Sequence, residues 1–245
     1  MKTSIEIGED INKIGQTLLE EIFSAPEILR QRAYELESPF ILSLLLLTSA
    51  GFDRHDFDHL GPLAVGLELL EFGVKRHYQG NYRGKLPGRA IDDLSLISGD
   101  YYYSKGISFA ARLGKSDFVK IMAQAIVEVT EAQIGLDCIE TYAEEDFFEK
   151  YGASLSKRAA LYRAACKLGT IAGVRDERVS ASLEVFGGLV GFLCILSENN
   201  SWAIRDCGSY EQKTRSLAEE AGEIIKGLSE NEDRRFLFDL VEEMI

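Results

Sequence analysis

The chain has 245 residues, 46% of them hydrophobic and 27% charged, enough to bury a full core. A formal net charge of −13 excludes electrostatic binding to nucleic acid and disfavours an anionic membrane face, because both would repel it. The longest apolar run, Phe40 to Leu47, is broken by Ser43 and falls far short of the roughly 20 residues of a membrane span.

Helical periodicity begins at once. Ile11, Ile14, Leu18 and Ile22 recur at steps of three or four and give one apolar stripe. Gly51 to Gly61 reads as a polar loop between two apolar helices, with Asp53, His55, Asp56, Asp58 and His59 as a solvated cluster or, second, an adventitious metal site. Gln79 to Asp93 reads as a longer loop, with Asp92 and Asp93 at its boundary with the next helix, where aspartates cap and complement the dipole. Phe118, Ile121, Met122, Ala125, Ile126 and Val129 form the next apolar face, with Lys120, Gln124 and Glu128 opposite.

Ser154 to Gly173 predicts one helix, apolar at Leu155, Ala159, Leu161, Ala165 and Leu168. Ser182 to Leu196 is apolar nearly all round, which predicts a central, buried helix. An amphipathic helix follows from about Glu211 to Leu228, and Ser229 with Glu232 has the spacing of a capping box opening a last one. No stretch alternates with period two for long enough to make a strand. The fold class is therefore all-α, about nine or ten helices in a single domain over residues 1–245. Cys138, Cys166, Cys194 and Cys207 lie far apart without a C-x-x-C pair, and Met1 to Asp10 lacks a secretory pattern. Both features predict a cytoplasmic protein with reduced, mostly buried thiols.

Five stretches carry a family resemblance. They are GLELLEFGVKRH from Gly66, LSLISGDYYYSKGISFAARLG from Leu94, VTEAQIGLD from Val129, KRAALYRAACKLGTIAG from Lys157 and FGGLVGFLCIL from Phe186. In order and spacing, over about residues 35 to 245, the chain resembles the trans-isoprenyl diphosphate synthases, or polyprenyl synthetases. The resemblance implies the isoprenoid synthase helical bundle. It also implies chemistry in which an allylic diphosphate ionises and isopentenyl diphosphate attacks. Three Mg²⁺ ions held by two DDxxD clusters then neutralise the leaving group.

Set against that pattern, the ligands are missing. Aligning Glu68 and Leu69 with the family's glutamate-leucine puts Tyr78 and Gln79 where the first paired aspartates belong. Aligning Phe186 and Gly187 puts Glu198, Asn199, Asn200, Ser201 and Trp202 over the second cluster, with one carboxylate among them. The family's glycine-lysine-x-x-arginine-proline segment corresponds to Tyr34 through Pro39, where Glu35 and Glu37 stand in or beside positions that are basic in the family.

The polar positions left in the pattern are candidates for a vestigial pocket or diphosphate site, each with a plainer alternative. Lys157 matches the family's diphosphate-binding lysine or is solvated, and Gln133 matches its pocket glutamine or joins helices by hydrogen bonds. Arg83 matches one arginine after the first cluster or lies on the surface, and His77 lines the old pocket or is satisfied locally. Gln79 and Glu198 occupy the vacated positions themselves. No catalytic residue and no metal ligand is assigned, and no cofactor is expected. The functional expectation is a non-catalytic homologue acting as a regulatory or binding subunit. It would form a homodimer or a heteromer with an active prenyl synthase chain, with an isoprenoid as a further possible ligand. The alternative is an active prenyltransferase using Mg²⁺ on rearranged ligands such as Glu198, Asp92 and Asp93.

Overall fold

A computed structural model describes residues 4–30, 40–51, 57–84, 93–137, 147–173, 175–197, 209–228 and 232–242. Among the described residues there are eleven helices and no strand, as the all-α pattern requires. They gather into two compact units, Met1–Leu44 with Asp56–Met122 and Leu45–His55 with Ala123–Ile245.

The first unit holds α1 (Ser4–Phe23), α2 (Glu27–Arg30), the first residues of α3 (Ile41–Ala50), α4 (Phe57–Gly84), α5 (Asp93–Arg112) and the start of α6 (Ser116–Asp137). Ile14, Leu18 and Ile22 of α1 are buried, as their spacing predicts. The α4–α5 pair is built on glycines seven residues apart on each helix, Gly66 and Gly73 against Gly106 and Gly99. A Cβ added at Gly106 would lie 2.6 Å from the Gly66 carbonyl oxygen, and one at Gly66 would lie 2.8 Å from that of Gly106. Small residues at this seam let the two backbones approach more closely than side chains would permit. Gly114, at φ +68°, closes α5 in the left-handed conformation that glycine alone adopts freely.

Helix α3 is joined to α4 by a buried acid. Glu68 Oε1 accepts the Ser43 N–H at 2.9 Å and the Ser43 hydroxyl at 2.8 Å. Ser43 is the third residue of α3, so its N–H has no partner within the helix, and Glu68 serves as a cap supplied from another element.

The second unit holds the rest of α3 and α6, then α7 (Phe147–Arg158), α8 (Ala160–Ala172), α9 (Glu177–Ser197), α10 (Tyr210–Lys226) and α11 (Glu232–Glu242). Gly169 of α8 and Gly173 at its C-cap bring the backbone against Leu46, Ser49 and Ala50 of α3. Gly187 and Gly191 of α9 lie against Tyr162, Cys166 and Ala159. Asp176 caps α9 by accepting the N–H groups of Arg178 and Val179 at 2.9 and 3.0 Å.

The structure revises several expected boundaries. The helix predicted over Ser154–Gly173 is two helices broken at Ala159, whose ψ of 11° departs from helical geometry. Arg163 Nη1 donates to the Ser156 carbonyl at 2.7 Å and satisfies an oxygen next to the break. This split and the short α2 bring the helix count among the described residues to eleven. Phe57–Gly61, expected in a loop, is the first turn of α4, because buried Leu60 extends the stripe of Leu63, Ala64 and Leu67 backwards. Residues 79–84 are likewise helical, a continuation of α4.

Helix α9 has the length and apolarity of a membrane span, yet most of its apolar side chains are buried. Val185 is the departure from the all-round burial expected there, at 50% exposure. Cys166 and Cys194 are buried free thiols, and burial pushes Cys166 up to about 12. Cys138, Cys207 and Ser229 lie outside the described residues.

Candidate functional site

In the first unit the candidate region is the carboxyl-terminal half of α4 and the face of α5 beside it. His77 stacks on Tyr103 with ring centroids 5.0 Å apart and planes 20° from parallel. The slot for these rings is cleared by glycine. Any side chain at Gly99 would overlap the His77 ring, and a Cβ at Gly73 would lie 2.7 Å from the Tyr103 ring. His77 Nε2 stands 3.2 Å from Asp100 Oδ1 but forms no hydrogen bond among the described residues, so the attraction operates when the imidazole is protonated. Asp100 is mostly exposed, which screens that attraction. His77 is thus packed against Tyr103, with the Asp100 carboxylate beside its Nε2.

Around it the α4–α5 contact is aromatic. Phe72 meets Tyr102 edge to face at 4.6 Å, and the buried Arg76 guanidinium lies 4.9 Å from the centre of the Phe72 ring. Burial raises the Tyr102 phenol above its ordinary range, with Arg76 opposing the shift. Tyr101 and Lys105 continue the surface outward, and Glu21 of α1 holds the Lys105 ammonium at 2.6 Å and raises its pKa. Phe72 is buried at this contact.

The ligand test for Mg²⁺ turns on α4. The helix runs unbroken to Gly84, so positions 78, 79 and 82, which the resemblance gives to three carboxylates, lie on its continuous backbone. This sequence has Tyr78, Gln79 and Tyr82 there. A phenol and an amide offer a hard divalent cation no carboxylate charge to offset a diphosphate, so these residues do not fit the metal. The side chains of Gln79 and Arg83 lie outside what is described, as do Asp92 and Glu198.

In the second unit, Lys157 lies in the last turn of α7, not near a helix start, because α7 extends back to Phe147. Its Nζ pairs with Glu131 Oε2 of α6 at 3.6 Å, both side chains more than half exposed. Gln133, two residues along α6, is buried on the face shared by Val129, Ala132 and Leu136. The two candidates therefore occupy neighbouring helices but different environments, one solvated and one internal. Of the acid-histidine loop cluster, Asp58 and His59 are exposed on the first turn of α4, and 52–56 lie outside the described residues. Among the described residues, no three His, Cys, Asp or Glu side chains gather as a metal site would require.

Three participants were not singled out as site residues from sequence: Asp100 and Tyr103 beside His77, and buried Glu68. The repeated glycine spacing at 66, 73, 99 and 106 is the signal that would have paired α4 with α5.

No family model matches the chain. Among curated proteins it is 26% identical over 196 residues to heptaprenyl diphosphate synthase component 2 of Bacillus subtilis (strain 168), covering 76% of this chain and 56% of that one. It is 29% identical over 107 residues to a short chain isoprenyl diphosphate synthase of Methanothermobacter thermautotrophicus, covering 41% of this chain and 32% of that one. The chain spans about half the length of the heptaprenyl synthase components it matches. Among solved structures, geranylgeranyl pyrophosphate synthetase from Pyrococcus horikoshii Ot3 superposes with a TM-score of 0.78 at 17% identity, covering 98% of this chain and 97% of that one. Heptaprenyl diphosphate synthase from Staphylococcus aureus gives 0.76 at 14% identity, with 97% of each chain covered. These likenesses show the all-α isoprenoid synthase fold.

Proposed function

We propose that this relative of the trans-isoprenyl diphosphate synthases is a non-catalytic subunit that binds a catalytic prenyl synthase chain and alters the length of its product. The observation that carries this reading is the chemistry at positions 78, 79 and 82 of α4, where the helix that presents three carboxylates in the family has Tyr78, Gln79 and Tyr82. Without anchored divalent ions, nothing neutralises a departing diphosphate, and ionisation of an allylic substrate loses several kcal/mol of stabilisation. Glu35 and Glu37, in or beside positions that are basic in the family, add repulsion toward an anionic substrate. What the chain keeps is the bundle, a surface suited to a similar chain. A heteromer is further supported by the relative named as component 2 of a heptaprenyl diphosphate synthase. Such a subunit acts by closing one end of the partner's cavity.

Purified chain is incubated with allylic and isopentenyl diphosphates and Mg²⁺, alone and mixed with prenyl synthase chains from the same source. The expected result is no product alone, a heteromer on size exclusion, and a shifted product length on mixing. Turnover by the chain alone, lost on Glu198→Gln, would instead establish the active prenyltransferase with rearranged ligands. Absence of both heteromer and product shift would remove the subunit role.

A further inference from the structure

Helix α3, Ile41–Ala50, carries no titratable side chain, yet its first turn is held by one. Glu68 is 4% exposed, and both hydrogen bonds it accepts from Ser43 fall on one oxygen, Oε1. Immediately before this turn Phe40 takes φ +52°, a left-handed conformation that a bulky aromatic residue rarely adopts. Its ring lies against α1, close enough that a Cβ on Gly15 would sit 3.3 Å from it. The start of α3 is therefore a constrained segment with its amide anchored to a buried carboxyl group.

We propose that Glu68 is a pH-responsive clamp on the amino-terminal turn of α3, docking it firmly when neutral and loosening it when ionised. A neutral carboxyl group accepts the Ser43 N–H and can donate its own proton to the Ser43 hydroxyl, so the pair is satisfied without a buried charge. An ionised carboxylate keeps both Ser43 donors but must be desolvated, and two donors on one oxygen replace only part of its hydration.

The surroundings do not compensate. On α4 itself, Glu71 disfavours the charge and Lys75 favours it, and these two pair with each other at 3.5 Å. From α1 come buried Asp10, paired with Lys13 at 3.5 Å, and Glu21, paired with Lys105 of α5. Among the described side chains, α5 also sets Asp100 beside α4, facing His77. Burial dominates over the Ser43 hydrogen bonds and raises the Glu68 pKa from 4.5 to about 7.

An acid whose folded pKa lies above its unfolded one binds its proton more tightly when folded. Its contribution is complete below about pH 4.5 and is lost as pH rises through about 7. That interval corresponds to a loss on the order of a hundredfold in the folding equilibrium.

Urea unfolding of the wild type and of Glu68→Gln from about pH 5 to 8.5 tests this, since glutamine keeps an acceptor for Ser43 and cannot ionise. The ratio of their folding constants is expected to move about a hundredfold in favour of the variant across that range. A ratio independent of pH overturns the proposal. Should the variant not fold, the wild type alone decides: its Glu68 carboxyl carbon, followed by carbon-13 NMR, is expected to titrate near neutrality. Titration below about pH 5, or none by about pH 9, overturns it. The clamp itself is read by amide exchange. Protection at Leu44 and Leu45, corrected for intrinsic rates, should fall between about pH 6 and 8 while that of α8 holds. Unchanged protection at the start of α3 refutes the loosening.

Discussion

Lys157 and Arg163 show how little the sequence position of a charge says about its worth. Both are cations paired with acids of α6, Lys157 with Glu131 at 3.6 Å and Arg163 with Glu128 at 2.7 Å. The Lys157 pair is more than half exposed on both sides, so solvent and side-chain entropy cancel most of its attraction. Arg163 is less exposed and has a second duty, donating to the Ser156 carbonyl beside the break at Ala159. Lys157→Ala is therefore expected to change unfolding free energy by less than about 0.5 kcal/mol. Arg163→Ala should lower it by about 1 kcal/mol, because it removes a charge-assisted pair to Glu128 and one of the two donors to the Ser156 carbonyl, which keeps the Ala159 N–H. Denaturant titration of both variants measures the contrast. A large loss at Lys157 would show that its pair with Glu131 is not weakened by solvent.

At the scale of the helix, the decisive feature is the glycine seam between α4 and α5. Placing a methyl at Gly106 drives it to 2.6 Å from the Gly66 carbonyl and into Leu70, where one contact is backbone and cannot move alone. The gain in helix propensity of about 0.5–1 kcal/mol is outweighed by overpacking. Gly106→Ala is expected to destabilise by about 1–3 kcal/mol. Gly222, inside α10, meets nothing within 4 Å of its would-be Cβ, so Gly222→Ala should stabilise by up to about 1 kcal/mol. Thermal unfolding of the two variants should move in opposite directions. A shared direction would mean that close approach along α4 and α5 does not decide their packing. Much of this element-level structure was legible because period and burial coincide: Ile14, Leu18 and Ile22 in α1, or Phe118, Met122 and Val129 in α6, are buried where their spacing puts them. The early start of α4 was not legible, because Asp58 and His59 are exposed polar residues on a helix whose inward side is carried by Leu60. The break at Ala159 was hidden for a related reason: its residue is a good helix former, and its close neighbour Gly191 lies on another helix. As contacts, the candidate site was illegible. Neither the His77–Asp100–Tyr103 group nor the burial of Glu68 follows from spacing along one helix.

For the molecule as a whole, the question is whether two compact units behave as one folding unit. The chain crosses the division between Leu44 and Leu45, between His55 and Asp56 and between Met122 and Ala123, and the first and last of these points lie inside continuous helices, α3 and α6. Unfolding either unit alone would end a helix in mid-ladder, stranding up to four carbonyls on one side and four N–H groups on the other. Residues at those points are also anchored: Leu45, Leu46 and Leu47 are completely buried, as is Met122. Fraying there would expose apolar surface at roughly 25 cal/mol per Å² in addition to the lost hydrogen bonds. The single domain expected over 1–245 is accordingly proposed to unfold cooperatively. Hydrogen exchange read by mass spectrometry in graded urea should give peptides from α4 and α5 the same denaturant dependence as peptides from α8 and α9. Two separated transitions, with the α4–α5 peptides opening while α8 and α9 stay protected, would show that the helices crossing the division are cut at Leu44 and Met122 at little cost.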